Sequence, residues 1–166
     1  MSPAAEIEPL DEFRERARRF ATDHLGPVST HAVQTLRALH TDEEELALVE
    51  RDRELQRRYF DADLAGIVVP TEYGGQGLTP AHQQVLNEEI HGKEFPSRLQ
   101  VPTFTPCMAV LLEFASEEVK REHIPAILKG DELWMQFLSE PSGGSDVAGA
   151  LTTAVRDGEE WIVNGQ

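Results

Sequence analysis

The hydrophobic pattern of this chain changes character once, close to Gly130, and that change constrains the fold more than any other feature. Before it, apolar residues recur at intervals of three and four, which is typical of amphipathic helices. After it, short apolar runs alternate with turn residues, which is typical of β-strands. The sequence therefore predicts a mostly α protein, with a helical domain over residues 1–131 followed by the first strands of an incomplete β-domain over residues 132–166.

Two helices are predicted early in the chain by their end signals. The first runs from Pro9 to His24 and carries one apolar stripe. It also carries a cluster of arginines, for which we favour a solvated helix face over an anion-binding site, because glutamates interleave with them. The second helix begins at a capping box, formed by Thr41 and Glu44, and extends to about Leu64.

Prolines divide the next part of the chain. Thr79-Pro80 predicts an N-cap and a first helical position, with a helix that extends to about Phe95. Residues 96–106 hold three prolines and are predicted to form a loop, because proline removes a backbone donor. A short buried helix is predicted over residues 106–115.

The last helix and the strands follow in order. Ser116–Gly130 has a capping serine and a terminal glycine, and Pro125 predicts a kink or a break within it. Leu133–Leu138 is predicted to be a strand. Leu151–Arg156 and Glu160–Val163 are predicted to be two more strands, joined by a glycine-containing hairpin turn.

Composition disfavours several classes of function. The 166 residues carry a formal net charge of −15, which disfavours nucleic acid or an anionic membrane surface as a bulk partner. No apolar run approaches the roughly 20 residues of a membrane span, and the amino terminus lacks the features of a secretory signal. The single cysteine, Cys107, fits a buried small hydrophobe in a reducing, cytoplasmic location. Neither it nor the histidine spacing predicts a metal site.

The run Phe137–Asp146 (FLSEPSGGSD) is the most informative stretch for function. It places serine hydroxyls and a Gly-Gly pair behind an apolar run, and such a surface suits a polar ring or a phosphate. The alternative is a plain turn, in which Asp146 is expected to act as a cap. We do not expect Glu140 and Asp146 to form an acid–base pair, because a carboxylate beside a phosphate needs a compensating cation.

Four segments in this order resemble motifs of the acyl-CoA dehydrogenases, flavoenzymes that oxidise acyl-CoA thioesters to 2-enoyl-CoA. They are Gly66–Leu78 (GIVVPTEYGGQGL), Asn87–Ile90 (NEEI), Glu118–Gly130, and Ser139–Asp146 (SEPSGGSD) with Trp161–Gln166 (WIVNGQ) after it. The last is the most specific, and together they cover nearly the whole chain beyond residue 40.

The resemblance implies FAD as the cofactor and gives roles to five residues. Gln136, Leu138 and Ser139 would line the flavin ring. Gly144 and Ser145 would approach the FAD pyrophosphate, and Ser145 would also bind the pantetheine part of acyl-CoA. The family fold adds a C-terminal helix bundle that carries the catalytic glutamate, so we assign no catalytic residue within this chain.

The resemblance leaves two kinds of function open. The first is the amino-terminal portion of an FAD-dependent acyl-CoA dehydrogenase, or of an acyl-CoA oxidase-like relative, that is inactive in isolation. The second is a non-catalytic subunit that packs on a full-length flavoprotein. The expected partners are acyl-CoA, an electron-transfer flavoprotein or another electron acceptor, and further subunits of a homo- or hetero-oligomer. The sequence does not indicate the length or type of the acyl group.

Overall fold

The computed structural model describes residues 7–28 and 41–165. Its α-helices are α1 (Leu10–His24), α2 (Asp42–Asp61), α3 (Pro80–Glu89), α4 (Ser97–Pro102), α5 (Met108–Phe114) and α6 (Glu117–Lys129), and its strands are β1 (Thr153–Asp157) and β2 (Glu160–Asn164). A π-helical segment, Thr103–Cys107, joins α4 to α5, and short 3-10 helices occupy Thr71–Tyr73 and Val147–Gly149. The predicted mostly α class is confirmed.

The chain divides into two compact units, with the division after Trp134. The first unit contains all the α-helices named above, and the second, from Met135 onward, contains both strands. We call them the helical unit and the hairpin unit. The assignment of domains to residues 1–131 and 132–166 stays a prediction.

The ends of the helices follow the sequence signals. The Thr41 side chain accepts a hydrogen bond from the Glu44 N–H at 3.3 Å, and the Glu44 carboxylate accepts one from the Thr41 N–H at 2.9 Å. The Ser116 hydroxyl likewise accepts from the Val119 N–H at 3.3 Å. These bonds satisfy N–H groups that have no partner inside the helix, so the predicted helix starts are confirmed.

The core of the helical unit consists of two groups of buried side chains. Phe13 on α1, Tyr59 on α2 and Leu86 on α3 belong to the first group. Ile124, Ile127 and Leu128 on α6 and Met108 on α5 belong to the second. In each helix the buried positions recur at helical spacing, which is why the apolar stripes could be read from the sequence.

The arginines of α1 bind the paired glutamates of α3. Arg14 contacts Glu88 and Glu89, each at 2.8 Å, and Arg18 contacts Glu89 at 2.9 Å. The paired residues lie more than 70 positions apart in sequence. The sequence prediction of a solvated face is therefore incomplete, because all four side chains hold the two helices together and two of them, Arg14 and Glu89, are only partly exposed.

The motif Gly66–Leu78 is a loop that folds back on its own first residues. The N–H groups of Gln76, Gly77 and Leu78 donate to the carbonyls of Gly66, Val69 and Ile67 at 3.0, 2.8 and 2.8 Å. Gly75 lies inside this fold: a Cβ there would be 2.2 Å from the Val69 carbonyl oxygen. The loop backbone therefore requires a glycine at this position.

The prediction of a loop over residues 96–106 is wrong, since α4 and the π-helical segment occupy most of it. Pro96 precedes the first turn of α4, where a missing N–H removes no helical hydrogen bond. Pro106 leaves the Pro102 carbonyl without its usual donor, and the Cys107 thiol donates to that carbonyl at 3.5 Å. The Met108 N–H donates to the Thr103 carbonyl five residues back, so π-helical backbone continues past Pro106, and Cys107 is buried as predicted.

Two other helix predictions need correction. Pro125 does not break α6, which is continuous from Glu117 to Lys129. The carbonyl that loses a donor belongs to Arg121, an exposed residue whose backbone water can reach. Helix α3 ends at Glu89, before the predicted end near Phe95.

The predicted strand Leu133–Leu138 is absent, while the hairpin is confirmed. The Trp134 backbone bonds to the Thr103 hydroxyl instead of to a neighbouring strand, at 2.9 and 3.2 Å. Strands β1 and β2 pair antiparallel, with Asp157 opposite Glu160 around a two-residue turn. Gly158 takes the first turn position with φ of 64°, a backbone conformation that suits glycine. Within residues 7–28 and 41–165, no helix is both long enough and apolar enough to cross a membrane.

Candidate flavin segment and apolar cavity

The segment Ser139–Asp146 forms a tight, self-bonded turn in the hairpin unit. The Glu140 N–H donates to the Gly143 carbonyl, and the Gly143 N–H donates back to the Glu140 carbonyl, both at 3.0 Å. Asp146 caps the 3-10 helix that follows, since its carboxylate accepts from the Gly149 N–H at 3.2 Å. The predicted capping role of Asp146 is confirmed.

Glu140 holds this turn against the residues that lead into β1. Its two carboxylate oxygens accept hydrogen bonds from the N–H groups of Leu151 and Thr152, at 2.7 and 2.8 Å. The Thr152 hydroxyl, and after it these two N–H groups, hold the pKa of Glu140 below its ordinary value, because their hydrogen bonds stabilise the charged form. This structural role of Glu140 was not predicted, because no local sequence pattern indicates a partner eleven residues away.

All five residues that the resemblance assigns to FAD are exposed: Gln136, Leu138, Ser139, Gly144 and Ser145. The structure brings Ser139 and Gly144 together, since a Cβ on Gly144 would be 3.7 Å from the Ser139 hydroxyl oxygen. Among the described residues, no hydrogen bond involves the side chain of Gln136, Ser139 or Ser145. These polar groups are therefore available to a ligand.

The paired glycines of the turn are not required by the turn itself. Neither Gly143 nor Gly144 has a positive φ. A Cβ would meet its nearest neighbour at 3.8 Å on Gly143 and 3.7 Å on Gly144, which is ordinary van der Waals contact. A group outside the turn that approaches the backbone closely would explain why side chains are missing here.

The helical unit contains an apolar cavity of about 500 Å³. It lies among the end of α2, the segment 64–69, α3, α4, the π-helical segment and α5. Apolar side chains form most of its wall, among them Leu64, Ile67, Leu86, Ile90, Phe104 and Met108. Polar side chains are few: Gln83, Asn87, Gln100 and Thr105. Its volume and lining are those of a small-molecule site.

The cavity was not predicted from the sequence. Part of its wall comes from α4 and the π-helical segment, which were predicted to be a loop. The spacing of Gln100, Phe104 and Met108 at intervals of four was the available signal, because it places these residues on one helical face. The three prolines of residues 96–106 predicted a loop instead, and so the helical spacing was not recognised.

Residues 8–131 match the family model described as acyl-CoA dehydrogenase, N-terminal domain. The chain belongs to the acyl-CoA dehydrogenase family. The predicted resemblance is thereby confirmed, and the matched residues include the whole described wall of the cavity.

Named relatives and solved structures agree with this assignment. Acyl-CoA dehydrogenase IpdE1 of Mycobacterium tuberculosis is 31% identical over 160 residues, which are 96% of this chain and 40% of that protein. A structure titled Tcur3481-Tcur3483 steroid ACAD is 32% identical with a TM-score of 0.61, over 95% of this chain and 39% of that one. The ChsE4-ChsE5 complex from Mycobacterium tuberculosis is 30% identical with a TM-score of 0.60, over 98% and 39%. The chain thus spans about two-fifths of the length of these relatives.

Proposed function

We propose that this chain is the amino-terminal part of an FAD-dependent acyl-CoA dehydrogenase that oxidises acyl-CoA to 2-enoyl-CoA. The observation that carries the proposal is the ligand-sized apolar cavity inside the residues that match the family. An acyl group is an apolar chain or ring system, so an apolar cavity of this size suits it. The catalytic base is expected outside this chain.

The flavin is proposed to lie on the hairpin unit. FAD, when bound, accepts a hydride from the substrate. Gln136, Leu138 and Ser139 would contact its ring, with the Ser139 hydroxyl as a hydrogen-bond donor. Gly144 and Ser145 would contact the pyrophosphate, which the space above the glycine backbone supports. Ser145 would also contact the pantetheine of acyl-CoA.

A steroid acyl-CoA is the first substrate class that we propose to test. The support is the 32% identity to the protein titled a steroid ACAD, over 95% of this chain. We further propose that an electron-transfer flavoprotein or another acceptor oxidises the reduced enzyme. A cytoplasmic location is proposed because it suits the single cysteine. We also propose that the protein assembles into a homo- or hetero-oligomer. The relative titled as a complex of two proteins supports the last point.

The test uses the protein that carries this chain, purified with its flavin and mixed with acyl-CoA without oxygen. We expect loss of the visible absorbance of oxidised flavin and a product lighter by two hydrogens in mass spectrometry. Steroid acyl-CoA should react faster than a straight-chain acyl-CoA. Full retention of the absorbance with every acyl-CoA would contradict the proposal.

The flavin contact has a matched pair of variants. Ser139→Ala removes the proposed donor to the ring, and Ser142→Ala removes an exposed hydroxyl of the same turn that has no proposed contact. We expect Ser139→Ala to weaken FAD binding by roughly 2- to 10-fold, which is the value of one hydrogen bond, and Ser142→Ala to leave it unchanged. Equal effects would remove Ser139 from the flavin site.

A second candidate function is a non-catalytic subunit that packs on a flavoprotein. The exposed apolar side chains of the hairpin unit favour it, including Phe137 at 91% exposure and Leu151 at 72%. In that case the purified protein would contain no flavin of its own, yet would increase the activity of a flavin-containing partner.

For residues 1–166 alone we expect weak FAD retention and no turnover, as measured by gel filtration and by a dye-coupled assay.

A further inference from the structure

A chain of two amide groups links α6 to the wall of the cavity. The Gln56 side chain on α2 is completely buried. Its Nε2 donates to the Leu128 carbonyl at 2.7 Å, and its Oε1 accepts from Nε2 of Gln100 at 2.7 Å. Because a carbonyl can only accept, the Leu128 bond fixes which end of the Gln56 amide is the nitrogen.

The fixed orientation of Gln56 also determines that of Gln100. Oε1 of Gln56 needs a donor, so Gln100 must direct its nitrogen towards Gln56. The Gln100 oxygen then remains, and it accepts no hydrogen bond from any of the described residues. Gln100 lines the cavity and is only partly exposed. An acceptor without a partner at an apolar wall is costly unless a ligand or water supplies the donor.

The other polar residues of the wall are less constrained. Gln83 donates to the Asn87 side chain at 3.0 Å, and these two residues lie one turn apart on α3. Asn87 and Thr105 are exposed, so water can satisfy their polar groups. Gln100 differs because its orientation is imposed by a partner with no solvent exposure at all.

We propose that Gln100 determines acyl specificity by accepting a hydrogen bond from a hydroxyl group on the acyl part of the substrate. This inference rests on the proposed function, because it places an acyl group in the cavity. A hydroxyl fits, since it supplies the donor that the amide oxygen lacks. A ketone has no hydrogen to donate, and a carboxylate would meet the oxygen as a second acceptor.

The experiment measures binding to the 166-residue chain, which requires neither flavin nor turnover. The probes are dodecanoic acid and a set of hydroxydodecanoic acids with the hydroxyl at the terminal carbon or along the chain, titrated by calorimetry. For at least one hydroxy acid, the ratio of its Kd to that of dodecanoic acid should rise by roughly 2- to 10-fold on Gln100→Met, which is the value of one hydrogen bond. The Kd of dodecanoic acid itself should stay within about 2-fold.

Further variants separate the acceptor from the fold of the wall. Gln100→Lys keeps a donor for Gln56 but removes the acceptor, so it should behave like Gln100→Met. Gln84→Met, at an exposed position outside the cavity lining, is the control and should change neither Kd.

The results separate this inference from the proposed function. A ratio that is unchanged by both Gln100→Met and Gln100→Lys for every hydroxy acid would overturn the inference, as would no binding of any probe. Loss of the preference in both variants would support it even if the protein that carries this chain failed to oxidise acyl-CoA. That failure would contradict only the proposed reaction.

Discussion

Two phenylalanines show how differently the two units of this chain use apolar residues. Phe13 in the helical unit has no solvent exposure, whereas Phe137 in the hairpin unit is 91% exposed. The same contrast extends to the strands, where every described position of β1 and β2 is exposed. The packing of the helical unit therefore explains many of its apolar residues, while the hairpin unit holds apolar residues for which its own packing gives no reason.

The glycines repeat this contrast at the level of the backbone. In the helical unit, Gly75 lies against the Val69 carbonyl and leaves no room for a side chain. In the hairpin unit, Gly143 and Gly144 have room for one. Internal packing thus explains the glycine at position 75 in the motif Gly66–Leu78. In the motif Ser139–Asp146, a contact from outside the turn is needed to explain Gly143 and Gly144.

The largest expected effect tests the contrast between the phenylalanines. Phe13→Ala should lower the free energy of unfolding by about 3–5 kcal/mol, because it leaves a cavity among buried side chains. Phe137→Ala should change it by no more than about 0.5 kcal/mol, because that ring is in solvent. The measurement is urea unfolding of the 166-residue chain, followed by the helical circular dichroism signal. Comparable losses would show that the hairpin unit contributes to the same core.

A smaller effect is expected at the glycines. Gly75→Ala should lower the free energy of unfolding by about 1–3 kcal/mol, because the new Cβ overlaps a carbonyl oxygen that the loop cannot easily move. Gly144→Ala should leave unfolding unchanged and instead weaken FAD binding by the protein that carries this chain. The first variant is followed by urea unfolding and the second by flavin titration. If Gly144→Ala reduced stability as much as Gly75→Ala, the need for glycine there would be internal.

The smallest expected effect is pH-dependent and concerns the ion pairs between α1 and α3. Hydrogen bonds from Arg18 and Arg14 hold the pKa of Glu89 below its ordinary value, since they favour the charged form. A lowered folded pKa gives stability that is complete above the unfolded value of about 4.3 and is lost as the pH falls through the folded value. Arg14→Met should therefore reduce stability near neutral pH, and its difference from the native chain should shrink on acidification.

Arg19→Met provides the control for the ion pairs. Its partner Glu15 is 3.8 Å away on the same helix, and both side chains are largely exposed. Unfolding measured across the acid range should show no effect of this variant. A difference between Arg14→Met and the native chain that stayed constant into strong acid would indicate lost packing rather than a lost charge pair.

Much of the helical unit was predictable because its signals are local. The capping residues Thr41 and Ser116 and the apolar stripe of α1 each act within a few residues. One error arose where a distant partner decides. Leu133–Leu138 is not a strand because Thr103, 31 residues earlier, binds the Trp134 backbone. The loop prediction over residues 96–106 failed for a local reason, because π-helical bonding carries the backbone past Pro106.

The candidate sites divide in the same way. The sequence alone determined the family, the capped helices and the turn chemistry of Ser139–Asp146, because each depends on residue types at short spacing. Only the tertiary structure decided that Gln56 orients Gln100 at a cavity, that α1 and α3 share ion pairs, and that internal packing requires glycine at position 75 but not at position 144. Those facts depend on distances between atoms in the folded chain, and residue spacing along the chain does not encode those distances.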